Sequence, residues 1–167
     1  FASTAINLTQ KINNLPGISS LEVDTSPLSI KAEYEIDNAA LQKVALTRLV
    51  NKISSQSVLF ATNQEALSEV QLAKLEILAN DVKQLLSVAK KTNTIVSIVV
   101  MGASDNSGSS ARNRELSQKR AENVVNSLIS LGVESSVLIP VSLGELPLQN
   151  PSMGRSVMLN VLLSSAL

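Results

Sequence analysis

The chain has 167 residues, 44% hydrophobic and 17% charged, with 14 basic and 14 acidic side chains that cancel to a formal net charge of zero. This balance excludes a disordered chain, and it leaves no whole-molecule charge to steer nucleic acid or anionic membrane. With no Cys, no His, and only Phe1, Tyr34 and Phe60 as aromatics, disulfides, imidazole and thiolate catalysis, ordinary zinc sites and base-stacking platforms are also excluded.

In chain order, Ile6, Leu8, Ile12 and Leu15 predict a first helix, stopped by Pro16-Gly17. Two short strands follow, Ile18 to Val23 and Leu28 to Ile36, the second alternating apolar and polar side chains with a period of two. Asp37 is a plausible N-cap for a helix carrying Leu46, Leu49, Val50 and Ile53, and Ser54 to Ser57 reads as a joint. Beyond it, Val58 to Ala61 predicts a strand, and Ser68 with Gln71 has capping-box spacing before a long helix striped by Leu75, Leu78, Val82, Leu85, Leu86 and Ala89. Ile95 to Met101, rich in β-branched residues, predicts a central strand buried on both faces. After a Gly/Ser/Asn/Asp loop comes a helix with Leu116, Ala121, Val124, Val125, Leu128 and Leu131 inward and Gly132 as its stop. Val137 to Leu143 and Val157 to Leu163 are the last strands. The expected class is α+β, built of two small αβ modules: αββα over 1–54, then βαβαββ over 57–167.

The stretch from Gly102 to Ala121 carries the chemical information. Asp105 directly follows a buried strand, in a loop leading to a helix N-terminus where backbone amides favour an anionic group. Asn113, Leu116, Ser117 and Arg120 recur at i, i+3, i+4 and i+7 and share one helix face. A carboxylate, a guanidinium fork and an amide would together suit a small ligand with an amine and a carboxylate. The same residues have a plainer reading, because an Asp before a helix also caps it and Arg and Asn at this spacing also line a solvated face. The segment lacks the Gly-Lys-Ser/Thr ending of a phosphate loop and fails the dinucleotide fingerprint.

The run Gly102, Asp105, Gly108, Asn113, Leu116, Ser117, Arg120, Ala121 resembles the signature of OmpA-like C-terminal domains, over about residues 57–163. Flanking it, Phe60 ends a strand before a long helix, Gly144-Glu145 is similar to that family's Gly-Glu turn, and Arg155 precedes the last strand. The resemblance implies non-covalent binding of peptidoglycan in the periplasm, without cofactor or metal, tethering an envelope protein to the cell wall. Its ligand would be the diaminopimelate of the stem peptide. Asp105 would meet the ammonium or support the amides that hold the carboxylate, and Arg120 would bind that carboxylate. Asn113 would orient the peptide, Leu116 would pack beneath, and Arg155 would line the site. Two departures stand out: Ala103-Ser104 replaces the usual His or Tyr and Thr, and Gly154-Arg155-Ser156 replaces Asn-Arg-Arg.

Residues 1–54 resemble a BON-type envelope module, which implies association with membrane or with other envelope proteins. No apolar run approaches the ~18 residues of a membrane span, and a chain opening on Phe1 reads as a processed or excised piece. Glycan hydrolysis is not expected, since it needs two carboxylates across a cleft and Glu115 reads as surface charge. The rival expectation is a scaffold domain of a secretion, motor or outer-membrane complex that has lost wall binding.

Overall fold

The computed structural model describes residues 18–24, 31–36, 38–146 and 154–165. The first predicted helix, the Asp37 cap and the connection over 147–153 lie outside them. The chain divides into two compact units, Phe1–Thr47 and Arg48–Leu167. In the first, β1 (Ile18–Asp24) and β2 (Lys31–Ile36) pair antiparallel, Leu21 opposite Tyr34, and α1 (Asn38–Ser54) begins.

The second unit runs β3 (Ser57–Leu59), α2 (Glu69–Lys91), β4 (Thr94–Ser104), α3 (Ser110–Ser130), a 3-10 turn, β5 (Leu138–Glu145) and β6 (Ser156–Ser165). It takes in the end of α1, where Ile53 is fully buried, Lys52 pairs with Asp81 at 2.7 Å and Ser54 Oγ accepts from the Val161 N–H. The four strands form one mixed sheet in the order β3-β6-β4-β5. β4 is central, parallel to β5 and antiparallel to β6, which is in turn antiparallel to β3. The architecture is α+β, with the βαβαββ order that the hydrophobic pattern predicts.

Local chemistry explains the helix boundaries. Ser68 and Gln71 close both bonds of the capping box at the start of α2, and the Gln71 amide also donates to the Leu59 carbonyl, tying the helix to β3. At the end of α3, Gly132 takes a positive φ of 88°, and the Gly132 and Val133 amides return to Ile129 and Leu128 carbonyls. Leu75, Leu78, Val82, Leu85 and Ala89 of α2 meet Leu116, Ala121, Val124 and Leu128 of α3 in the core over Val96, Ile98 and Val100 of β4.

One expectation is corrected here. β4 is central but not buried on both faces: Val96, Ile98 and Val100 are buried, whereas Ile95 is 51% exposed and Val99 and Met101 are half-buried. An unbroken apolar run signals two covered faces only when helices cross on both sides. In the described residues α2 and α3 pack on one.

The closest approach between layers is at Gly102. A Cβ there would lie 1.9 Å from the Ser117 carbonyl oxygen of α3, a backbone atom that cannot swing away. Gly102→Ala is therefore expected to cost at least ~2 kcal/mol, because α3 must lift from β4. A urea melt would measure it, and Gly108→Ala, facing only the tip of Asn113 at 3.0 Å, should cost less.

Candidate functional site

The carboxyl end of β4 delivers Asp105 into the loop that precedes α3. The cap of α3 is Ser109, whose hydroxyl accepts from the Arg112 N–H, so the Asp105 carboxylate is free of capping duty. Its Oδ1 accepts from both the backbone N–H and the hydroxyl of Ser107, forming a tight turn. Its Oδ2 accepts from Arg155 Nη1 at 3.0 Å, with the two side chains only 13% and 24% exposed.

Arg155 reaches this position because β6 is pinned just ahead of its start. The Phe60 N–H donates to the Arg155 carbonyl at 2.7 Å, and a Cβ on Gly154 would stand 3.2 Å from Asp105 Cα. The backbone thus runs directly over Asp105, closer than a larger residue at 154 would allow without a shift. Arg155 Nε is buried and lacks a hydrogen-bond partner among the described residues. The Ser107 hydroxyl and then the Arg155 guanidinium hold the Asp105 carboxyl below its ordinary value, against the upward push of burial.

Arg120 corrects the expectation of a surface guanidinium. It is 0% exposed, with Nε donating to the Gln64 carbonyl at 2.8 Å, Nη1 to Ala103 at 2.9 Å and Nη2 to Ala61 at 3.1 Å. Its charge also stands 5.2 Å from the centre of the Phe60 ring. Burial lowers its pKa from the ordinary value, opposed by the nearby Asp105 charge.

Asn113 and Leu116 are buried as well. The Asn113 amide donates to Glu145 Oε1 at 2.7 Å, while Glu145 Oε2 accepts from the Ser110 hydroxyl at 3.3 Å. Ser117, on the same face, donates to the Arg114 carbonyl and accepts from the Gly144 N–H. The shared face of α3 is therefore its inward face. Asp105 and Arg155 meet directly, Arg120 touches the end of β4 beneath them through the Ala103 carbonyl, and Asn113 turns to Glu145.

Ser107, Glu145 and the carbonyls of Ala61 and Gln64 are partners that the site prediction does not name. Asp-x-Ser spacing signals the Ser107 turn, and Glu145 stands beside Gly144, whose φ is +64°. No side-chain pattern marks a carbonyl as a ligand. Glu115 pairs with Lys119 at 2.9 Å on the exposed side of α3, as a surface charge would.

A sequence profile described as the OmpA family matches residues 59–156, which takes in every group of this constellation. The chain belongs to the OmpA family. Outer membrane protein A of Citrobacter freundii is 43% identical over 60 residues, 36% of this chain but only 24% of that protein. The counterpart from Salmonella typhi matches equally over 16% of its length, so the matched segment spans under a quarter of these relatives. Among solved structures, the peptidoglycan-associated lipoprotein from Burkholderia pseudomallei superposes with a TM-score of 0.55 at 26% identity, covering 65% of this chain and 91% of that one. The C-terminal domain of Helicobacter pylori MotB shares the fold at a TM-score of 0.53 and 20% identity, over 66% of this chain and 85% of that one.

Two measurements follow from this geometry. Arg120→Ala leaves three carbonyls without their donor and is expected to destabilise the second unit by about 3–5 kcal/mol in a urea melt. Because the folded Asp105 carboxyl is depressed, its stabilisation is fully present above the ordinary carboxyl value near ~4 and is lost as pH falls through the lower folded value. The stability gap between wild type and Asp105→Asn should accordingly close in acid, and a pH series of melts reads it.

Proposed function

We propose that the OmpA-like unit binds peptidoglycan non-covalently, taking the zwitterionic end of a stem-peptide diaminopimelate between Asp105 and Arg155. The observation that carries this reading is their ion pair: one carboxylate and one guanidinium, 3.0 Å apart and partly open to solvent. A ligand bearing both an ammonium and a carboxylate can replace each partner for the other, so that no buried charge is left alone. A simple cation or anion would satisfy one and strand the other. Arg155 then grips the ligand carboxylate with the guanidinium that Asp105 releases. Arg120 fixes the end of β4 next to this pair through the Ala103 carbonyl, while Asn113 secures Glu145.

The profile match, and the likeness to a lipoprotein described as peptidoglycan-associated, support the reading. Non-enzymatic tethering of a periplasmic envelope protein to the wall is the corresponding role. For residues 1–54 the proposal is a BON-type module, supported by the antiparallel β1–β2 pair followed by α1. One observation favours the rival scaffold reading: Asp105 is already satisfied by Ser107 and Arg155, which a ligand must displace.

Retention on purified diaminopimelate-type peptidoglycan decides between them, with a lysine-type wall alongside. Wild type is expected to be retained on the first wall only, and Asp105→Ala and Arg155→Ala to lose retention while staying folded. A folded wild type retained on neither wall would leave the scaffold role.

A further inference from the structure

Asp81 of α2 is a buried carboxylate that the site does not use. It lies beside the apolar stripe, 6% exposed, and its Oδ1 accepts from Lys52 Nζ at 2.7 Å. Its Oδ2 is buried with no hydrogen-bond partner among the described residues. Apolar side chains in place of such a pair are often no less stable, since desolvation offsets the attraction. What the pair does is penalise any other position of Lys52, because a displaced α1 would leave the carboxylate buried and alone.

The next two residues are fixed as well. Ile53 is fully buried, and Ser54 Oγ accepts from the Val161 N–H of β6 at 3.4 Å. β3 follows at once and has only three residues, with Ser57, Val58 and Leu59 opposite Met158, Val157 and Ser156. Carried back in that register, Ser54 falls opposite Val161; carried forward, Phe60 falls opposite Arg155. Both contacts exist, the second as the bond from the Phe60 N–H to the Arg155 carbonyl. The last turn of α1 therefore continues the β3 ladder, with a side-chain oxygen where a longer strand would present a carbonyl.

Register matters here because Arg155 lies past the end of the other ladder. β4 pairs with β6 no further than Val157. Beyond it, Leu59 lies opposite Ser156 and the Phe60 N–H holds the Arg155 carbonyl. A slip of β3 by one residue would turn the buried Val58 outward and carry the Phe60 N–H ~3.4 Å from that carbonyl. We propose that the last turn of α1 locks β3 in register on β6 and so positions Arg155 against Asp105. Lys52, Asp81 and Ser54 are then positioning residues of the site. Their service to ligand binding rests on the peptidoglycan reading, whereas the lock itself does not.

Amide hydrogen exchange and a carbon-13 titration of Asp105, both on the 167-residue chain, test the lock without a ligand. The Phe60 rate is taken against that of Val99, in the middle of the β4–β6 ladder, which removes any general loss of stability. In Ser54→Ala and in Lys52→Met this ratio should rise at least about tenfold. The Asp105 midpoint should rise with it, because Ser107 still depresses that carboxyl and Arg155 no longer does. Lys52→Arg should return both readouts toward wild type, and Lys43→Met, an exposed lysine further up α1, should change neither. Retention on diaminopimelate-type wall should fall in the two loosened variants. A Phe60 amide that moves only in step with Val99 in both variants overturns the lock, and so does an unmoved Asp105 midpoint. A faster Phe60 and a raised midpoint, in a chain whose wild type is not retained on the wall, uphold the lock and overturn the binding role instead.

Discussion

The buried guanidinium of Arg120 joins three stretches of chain that share no secondary structure with one another. It sits on α3 and donates to Ala61 and Gln64 after β3 and to Ala103 at the end of β4. A cation at 0% exposure is tolerable only when nearly every direction around it holds an acceptor or a polarisable ring, and here carbonyl oxygens and the Phe60 face supply both. The backbone of 61–65 has little regular structure of its own, so side chains of α3 give it a fixed path. Asn123, one turn further on, donates to the Glu65 carbonyl and completes the attachment. The position of the β4 end, and hence of Asp105, follows from this clamp.

Above the clamp, the exposed chemistry is built by convergence of ends. β4 stops at Ser104, α3 starts at Ser110, β5 finishes at Glu145 and β6 begins at Ser156. Ser104 binds this junction together, its hydroxyl donating to the Gly144 carbonyl and its own carbonyl accepting from the Leu146 N–H. Strand ends leave backbone groups without ladder partners, and short hydroxyl side chains satisfy them at small volume. That accounts for the concentration of Ser around the site. Polar residues there are structural as often as they are available to a ligand.

Much of the second unit was legible because its signals are local. The capping box at Ser68 and Gln71, the Gly132 stop and the apolar stripes of α2 and α3 depend on residues within a few positions of each other. The order of strands in the sheet was not legible, since it rests on pairings such as Ser57 with Met158 that leave no mark in either segment. For the site, helical spacing correctly grouped Asn113, Leu116, Ser117 and Arg120, yet periodicity alone cannot say whether a polar face is wet or buried. No sequence signal marks Arg120 as buried, because arginine rarely is and its acceptors are carbonyls, which every residue possesses. The Asp105–Arg155 contact spans 50 positions and depends on how closely Gly154 passes over Asp105.

The pairing of β3 with β6 carries a consequence for assembly in time. Those strands lie at opposite ends of the unit, about a hundred residues apart, while the parallel strands β4 and β5 are joined through α3 and the 3-10 turn. Distant pairings close late, because loop entropy must be lost before they reward it. A nascent chain can therefore settle α2, β4, α3 and β5 while β3 still waits for its neighbour. β6 also brings Arg155 to Asp105, so a chain whose β6 has not yet docked leaves the Asp105 carboxylate without its guanidinium. Completion of the sheet and completion of the site are one event.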